Sequence, residues 1–408
     1  MIQVSKKGIS VFGIVLLLGF PQISETIYSP ALPEISRLME TSVFLTELTL
    51  SVYFIGFALG VALWGRISDL WGRRPAMLAG ILLYTISCFA LAMSKSIEML
   101  LFLRGFQALG ASAGSVVTQT MIRDSYDGPS RARAFSLVGL SLGFAPAIGP
   151  VLGGFLVHFF SWQSNFWFLY ILGIFLLGYC ALRLEETRSS ESQISRASFG
   201  SVAKKILWDS KIWGHVLLIT GTNGIIFGFY SEGSFLFQDI VGLSSQQYGF
   251  FGLIISAATV IASICSMKLS RVSTPLRIQS FGVLLVFIAS IAQMIFIACY
   301  DVLSLMSFIP SLAVLFLGIG LIIPNSLSVA LKDYQSSVGT AGALFGLLYY
   351  LGIALCMVLL SYWHNDTAIV YPSYSIFMAC LLLVGTVLII RKEGMKSLLP
   401  LRYQESYA

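Results

Sequence analysis

Residues 65–75 read GRISDLWGRRP and place four charged side chains, Arg66, Asp69, Arg73 and Arg74, between two long apolar runs. The whole chain has 408 residues, of which 57% are hydrophobic and only 11% are charged. Its apolar runs reach about 20 residues, enough to cross about 30 Å of hydrocarbon as a helix. A charged segment between two such runs predicts a short turn at a membrane surface that joins two spanning helices.

The remaining apolar runs also predict helices, because they do not alternate with the period of two that a β-barrel needs. The sequence therefore predicts an all-α integral membrane protein. We expect twelve transmembrane helices, at roughly 8–32, 43–67, 75–94, 97–123, 133–157, 164–184, 212–235, 246–267, 276–298, 302–326, 338–361 and 371–391.

The two halves of the chain resemble each other at an offset near 200 residues, about the separation of Pro75 and Pro275. Two parallel six-helix repeats are typical of secondary transporters, which bind their substrate between the repeats. We predict two pseudo-symmetric bundles, at 1–184 and 212–408, joined by a polar linker at 185–211. The second bundle ends in a short cytoplasmic tail.

The basic residues predict the orientation. With both termini in the cytoplasm, only Arg37 and Lys95 face outward, and Arg104 lies inside a helix. The positive-inside rule favours this arrangement in a bacterial inner membrane. Lys6 and Lys7 precede the first apolar run with no small-residue cleavage pattern, so we expect a retained first helix. The net charge of +6 then reflects topology, and we expect the lipid bilayer, not nucleic acid, as partner.

Other classes of function find little support in the sequence. None of the six cysteines forms a C-x-x-C pair, so no metal site or disulfide is predicted. Motifs of hydrolases and nucleotide-binding proteins are absent, which argues against a polytopic enzyme. We expect no cofactor, a proton gradient as the energy source, and a monomer.

Two ionisable residues lie inside predicted spans, where a charge is costly and is a functional candidate by default. Glu25 and Arg104 both lie about 10–12 Å from the outer ends of their helices, at 1.5 Å per residue. Our hypothesis is that Glu25 carries the exchanged proton and Arg104 senses its charge. The alternatives are a structural acid at Glu25 and a structural pin to carbonyls at Arg104. Glu47 and Glu232 are nearer to helix ends and could reach interfacial water.

Aromatic and polar side chains at helical spacing predict an apolar pocket with few hydrogen-bond donors, suited to amphiphilic or cationic compounds. Contact with lipid or helix packing is the alternative for such stripes. The predicted substrate-binding residues are Tyr28, Tyr53, Gln107, Phe144, Asn223, Phe227, Tyr230, Glu232, Phe345 and Tyr349.

The opening stretch resembles the G-x-x-x-D-x-x-G-R-[RK] signature of the major facilitator superfamily. That resemblance implies a cytoplasmic gate in which Asp69 and Arg73 act with Asp124, in MIRDSYDG. The alternative is that the basic residues of this turn only set the orientation of the helices, as the positive-inside rule describes. The predicted gate residues are Gly65, Asp69, Gly72, Arg73, Arg74 and Asp124.

The fifth predicted span carries GLSLGFAPAIGPVLGG, which resembles the antiporter signature of the same superfamily and implies export. The residues of this motif are Pro146, Gly149, Pro150, Gly153 and Gly154. The fourth predicted span carries LRGFQALGASAG. This stretch is similar to the pattern that the same superfamily has in its fourth helix, with Ala108 in place of the usual Gly.

YSPALPEIS, LTLSVYFIGFALG and FYSEGSFLFQDIVGLSSQQYGFFG resemble the bicyclomycin-resistance (Bcr/CflA) branch of drug–proton antiporters. That branch usually has Asp where this chain has Thr26, one position after Glu25. The resemblance implies a proton-coupled exporter of amphiphilic, drug-like small molecules by alternating access. The alternatives are export or uptake of a native metabolite or siderophore-like compound, a non-transporting receptor or channel, and a membrane enzyme.

Overall fold

A computed structural model describes residues 9–126, 130, 134, 147–188, 199–299 and 305–394. Among these residues, eleven helices are long and apolar enough to cross a membrane, and Ala147–Phe159 is a shorter apolar helix. That shorter helix is the described part of the predicted fifth span. The described residues form helices and turns without a β-strand, which confirms the predicted all-α membrane architecture.

The helices are numbered in chain order. They are α1 Val11–Thr26, α2 Leu32–Leu38, α3 Val43–Trp71, α4 Arg73–Ala92, α5 Ile97–Ser125, α6 Ala147–Phe159, α7 Gln163–Arg183, α8 Phe199–Leu207, α9 Ser210–Phe235, α10 Ser245–Gly249, α11 Phe251–Leu269, α12 Pro275–Cys299, α13 Leu305–Ala330, α14 Val338–Trp363 and α15 Val370–Glu393.

The chain divides into two compact units. Unit 1 comprises Met1–Arg196 with Ser244–Gly252, and unit 2 comprises Ala197–Leu243 with Leu253–Ala408. The first turns of the predicted eighth span, including α10, thus belong to unit 1. The predicted linker at 185–211 is partly helical, because α8 lies within it, and residues 189–198 lie outside the described part of the chain.

Prolines break the first span. A 3-10 turn at Ser29–Ala31 follows α1, and α2 begins directly after it. Pro30 and Pro33 lack the N–H that an uninterrupted helix would require there. The single helix predicted at 8–32 is therefore wrong at its outer end, because α1 ends at Thr26, one residue after the predicted proton carrier, Glu25.

The turn between α3 and α4 is shorter than the sequence predicted. We expected the helices to end near 67 and to resume at 75, but α3 continues to Trp71 and α4 begins at Arg73. Gly72 alone separates them, with φ +108° and ψ 163°. This backbone region is accessible almost only to glycine, because a Cβ would clash there.

Small residues allow the helices of each unit to approach closely, as in other membrane bundles. In unit 1, a Cβ on Gly110 of α5 would lie 2.7 Å from the carbonyl oxygen of Gly80 on α4. In unit 2, a Cβ on Gly318 of α13 would lie 2.7 Å from the carbonyl oxygen of Gly282 on α12. The equivalent helix pairs of the two halves are therefore joined by equivalent glycine contacts.

Candidate functional site

Arg104 is the most unusual buried group in unit 1. It projects from α5, is 0% exposed, and its guanidinium carbon lies 4.6 Å from the ring centroid of Tyr28 and 4.3 Å from that of Tyr53. Both rings present their faces to the cation, an arrangement that stabilises a desolvated guanidinium. The predicted substrate-binding tyrosines Tyr28 and Tyr53 therefore contact Arg104.

One edge of the Arg104 guanidinium has no partner among the described residues. Nη1 donates to Gln107 Oε1 at 2.6 Å, whereas Nε and Nη2 have no hydrogen-bond acceptor in this part of the chain. Nε–H and Nη2–H point in parallel along one edge, which matches the two oxygens of a carboxylate. Both ends of the amide of Gln107, a predicted substrate residue, are therefore occupied: Oε1 accepts from Arg104, and Nε2 donates to Cys88 Sγ at 3.2 Å.

Glu25 lies near the end of α1 and is 4% exposed. Its carboxyl group is close enough to Arg104 for electrostatic attraction, yet the described residues show no hydrogen bond or ion pair between the two. Oε1 of Glu25 is buried and also has no hydrogen-bond partner in the described part of the chain. Two opposite ionisable groups thus lie near each other, each with unused hydrogen-bonding capacity.

Glycines of the predicted antiporter motif lie against the backbone next to Glu25. Cβ atoms on Gly149 and Gly153 of α6 would collide with Thr26 Oγ1 and with the carbonyl oxygen of Ile27. On another face of α6, Gly154 contacts the Ser245 carbonyl and the Pro150 carbonyl contacts Gly249. The α6 helix is thus packed tightly between the end of α1 and the α10 segment of unit 1.

Arg73, at the start of α4, lies between two carboxylates. Its Nη1 donates to Asp69 Oδ1 at 2.5 Å, and its Nε donates to Asp124 Oδ2 at 2.9 Å. The Arg73 side chain is 7% exposed, whereas its partners Asp69 and Asp124 are 58% and 24% exposed, so the cation is buried and the carboxylates still reach solvent. The three residues that the motif predicted to act together therefore form one cluster at the ends of α3, α4 and α5.

The other residues predicted to form the gate make different contacts in the structure. Arg74 donates from Nη2 to the Ala181 carbonyl at 2.7 Å, which ties α4 to α7. Gly65 has no close neighbour, since a Cβ at this position would lie 3.8 Å from its nearest contact, Val116 Cγ1. Space at Gly65 is therefore not limiting, in contrast to Gly72.

Glu186, which sequence reasoning did not identify, caps α4. Its Oε1 and Oε2 accept the backbone N–H groups of Arg73 and Arg74 at 2.9 and 3.0 Å. Partial burial opposes ionisation of Glu186, but hydrogen bonds from the backbone N–H groups of Arg188, Arg73 and Arg74 outweigh it and lower the pKa of this carboxyl group. No local pattern predicts this contact, because it joins residues more than 110 positions apart.

The structure describes separate contacts for several of the predicted substrate residues of unit 2. Asn223 donates to the Ile219 carbonyl on its own helix at 2.8 Å. Phe227 and Tyr230 contact each other with ring centroids 6.1 Å apart. Phe345 belongs to a buried apolar cluster with Val202, Ile206, Ile212 and Tyr334, and Tyr349 packs against that cluster.

Glu232 is buried at 2% exposure instead of reaching interfacial water. His364, at the end of α14, lies with its Nδ1 3.0 Å from Glu232 Oε2 and its Nε2 2.9 Å from Asp366 Oδ1. Only the fold brings His364 to Glu232, because the two residues are 132 positions apart in the sequence. The predicted site residues Phe144 and Pro146 lie outside the described residues.

Comparison with known proteins identifies the class. The profile of the Major Facilitator Superfamily matches residues 14–357. The chain therefore belongs to this superfamily of transporters, as its opening motif predicted, and it is a multi-pass inner-membrane protein rather than an enzyme.

Its relatives include an "Uncharacterized transporter" of Rickettsia bellii, which is 33% identical over 86% of this chain and 89% of the relative. The "Bicyclomycin resistance protein homolog" of Haemophilus influenzae is 25% identical over 88% of this chain and 91% of its own length. "Multidrug resistance protein D" of Escherichia coli is 27% identical over 83% and 85% of the two chains. These relatives are consistent with the bicyclomycin-resistance branch.

Solved structures support the fold. A D-xylose-proton symporter superposes with a TM-score of 0.74 at 13% identity, covering 91% of this chain and 96% of the symporter. An inward-facing bacterial homologue of the human lysosomal transporter Spinster superposes with a TM-score of 0.72 at 14% identity, covering 93% and 95% of the two chains. At these identities the likeness shows the shared fold alone.

Proposed function

We propose that this protein is a proton-coupled exporter of amphiphilic, drug-like small molecules that works by alternating access. The observation that carries the proposal is the pair of buried groups Glu25 and Arg104, which attract each other and leave matching hydrogen-bonding groups unused. The names of the bicyclomycin-resistance and multidrug-resistance relatives support a drug-like cargo.

The charge of this pair gives a reason for exchange. With Glu25 protonated, the pair carries one positive charge from Arg104, which repels a cationic passenger. After Glu25 loses its proton, the pair is neutral, and the new carboxylate matches the free Nε–Nη2 edge of Arg104. Proton and cationic passenger therefore favour different states, and binding of one promotes release of the other.

The same argument gives the opposite sign for an acidic passenger. Its carboxylate would compete with Glu25 for the free edge of Arg104 and would favour protonated Glu25. Proton and acid would then bind together and move in the same direction. By this argument, exchange is the expected mode for cationic amphiphiles, and the uptake alternative would require an acidic cargo.

Gating in this proposal involves the two ends of unit 1. The cluster of Asp69, Arg73 and Asp124 closes the cytoplasmic end, and contacts of the antiporter motif with Thr26 and Ile27 connect Glu25 to helix movement. Closely packed backbones transmit a displacement from one helix to the next, because there is no free space between them into which side chains could move instead.

The test uses two probes of matched shape and opposite charge. Tetraphenylphosphonium is added to the purified protein in weakly buffered detergent solution, and proton release is recorded with a pH indicator. We expect release from the wild type and none from Glu25→Gln, whereas tetraphenylborate should cause no release. Proton release by the Glu25→Gln variant would contradict the proposal.

A further inference from the structure

Tyr248, in α10, forms a buried hydrogen bond that no predicted role explains. Its hydroxyl lies 3.0 Å from Ser29 Oγ, and the two residues are 1% and 0% exposed. The bond joins α10 to the 3-10 turn that breaks the first span. A buried hydroxyl that loses its partner is costly, so this bond constrains both segments.

Ser29 directly follows a residue of the charged site. The preceding Tyr28 presents its ring to Arg104, and its hydroxyl accepts a hydrogen bond from Thr49 Oγ1 at 3.3 Å. A shift of Arg104 towards a newly charged Glu25 would remove the cation from the Tyr28 face. Because Ser29 is the next residue in the chain, a displacement of Tyr28 would also displace Ser29.

The α10 segment also rests on the antiporter-motif helix α6. A Cβ on Gly249 would lie 2.5 Å from the Pro150 carbonyl oxygen, and Ser245 Oγ lies 3.4 Å from the Gly154 carbonyl oxygen. These contacts position Tyr248 but provide no side-chain link to Arg104. The hydrogen bond between Ser29 and Tyr248 joins α10 to the first span.

We propose that Tyr248 is a positioning residue that couples the charge state of Glu25 to the start of the eighth span through Ser29. The inference rests on the proposed function, because it needs Glu25 to change protonation during the cycle. The titratable and charged groups around Glu25 are Arg104 on α5 and Tyr53 on α3. Breaking the hydroxyl contact should leave Glu25 able to titrate while uncoupling α10 from it.

The chain offers a matched control. Tyr179 and Ser10 form a second tyrosine–serine hydroxyl pair in unit 1, at 2.9 Å, near the opposite end of the first span. Tyr248→Phe and Tyr179→Phe each remove one hydroxyl. Only the first should affect coupling to the charged site.

The experiment measures amide hydrogen exchange of residues 244–252 in the full-length protein at about pH 5 and about pH 8, with rates corrected for intrinsic chemical exchange. We expect the corrected opening of this segment to differ by about fivefold between the two conditions in the wild type and in Tyr179→Phe. Tyr248→Phe and Ser29→Ala should each abolish the difference, and the double variant should have no further effect. Glu25→Gln should abolish it as well.

A pH response that persists in both Tyr248→Phe and Ser29→Ala, or that is absent from the wild type, would overturn the coupling role. Equal loss in Tyr179→Phe would overturn it too, because it would show a general effect on unit 1. Proton release on tetraphenylphosphonium binding is measured on the same samples. If the wild type releases protons but residues 244–252 do not respond as expected, the coupling role of Tyr248 is wrong and the proposed function stands. If Glu25→Gln still releases protons, the proposed function itself is wrong.

Discussion

The Glu186 carboxylate accepts the backbone N–H of Arg73 at 2.9 Å, while the Arg73 side chain bridges Asp69 and Asp124. The segment after α7 thus holds the backbone of the residue whose side chain forms the ionic cluster. A carboxylate at a helix N-terminus is also favoured by the helix dipole. The motif turn is therefore supported by a residue outside the motif.

Replacing Glu186 should lower stability in a pH-dependent way. Because the pKa of Glu186 is lowered in the folded protein, its carboxylate stabilises the fold above its ordinary pKa, and this contribution is lost as pH falls through the lowered pKa. We expect Glu186→Gln to lower the melting temperature by roughly 1–3 °C at neutral pH. In thermal unfolding, the difference from the wild type should shrink below the ordinary pKa of glutamate and vanish only once the pH is below the lowered pKa of Glu186.

The exposed neighbour Glu185 provides the control for this prediction. Glu185→Gln should melt with the wild type throughout the same pH series. Equal shifts in the two variants would show a general charge effect and would count against the capping role of Glu186.

We expect Gly72→Ala to lower the free energy of unfolding by more than the strain of its backbone conformation alone. Gly72 and Gly394 both end helices with positive φ, at +108° and +81°, but only Gly72 has a neighbour in the way. A Cβ on Gly72 would lie 2.5 Å from Glu186 Oε2, whereas no described residue lies within 4 Å of a Cβ on Gly394. Backbone strain should cost each variant about 1–3 kcal/mol. Chemical denaturation should reveal an added loss in Gly72→Ala, and equal losses would exclude the clash with Glu186.

Gly153→Ala tests the contact between the antiporter motif and the first span. Its Cβ would collide with the Ile27 carbonyl oxygen, and a backbone atom in a tightly packed turn cannot move aside as a flexible side chain does. We expect export in vesicles to fall at least about tenfold, the equivalent of about 1.4 kcal/mol. Gly178→Ala, with nothing within 4 Å, should transport normally. Wild-type transport by Gly153→Ala would show that this contact is dispensable.

Arg104→Lys should not preserve function although it preserves charge. Lysine cannot present the planar pair of donors that Arg104 leaves free, and it makes a different contact with the rings of Tyr28 and Tyr53. We expect transport to fall at least about tenfold, with Arg37→Lys, at an exposed position of α2, as a control. Normal proton-coupled transport by Arg104→Lys would mean that a point charge is sufficient.

The sequence was most informative where the physics is local. Apolar run length predicted the spans, since hydrocarbon thickness fixes helix length. The grouping of Asp69, Arg73 and Asp124 followed from a short motif and one helix end. The end of α3 was misplaced because Arg66 and Asp69 were read as turn residues, although charged residues at a membrane surface can continue a helix to Trp71.

Contacts between distant segments were not predictable. Glu186 meets Arg73, Tyr248 meets Ser29, and His364 meets Glu232 only because the fold brings them together. The sequence placed Glu25 and Arg104 at equal depth, but depth does not define rotation around a helix axis or the partners of each atom. The unpaired edge of Arg104 therefore emerged only from the folded structure.

The most direct measurement of the central claim is proton flux in vesicles that contain the purified protein, under an imposed pH gradient and with a panel of cationic dyes and tetraphenylphosphonium. The wild type should exchange protons for at least one of these compounds. Glu25→Gln should lose substrate-driven proton flux while still exchanging labelled for unlabelled substrate, because the helices can still alternate without a titrating group. Coupled proton flux that persists in Glu25→Gln would contradict the account.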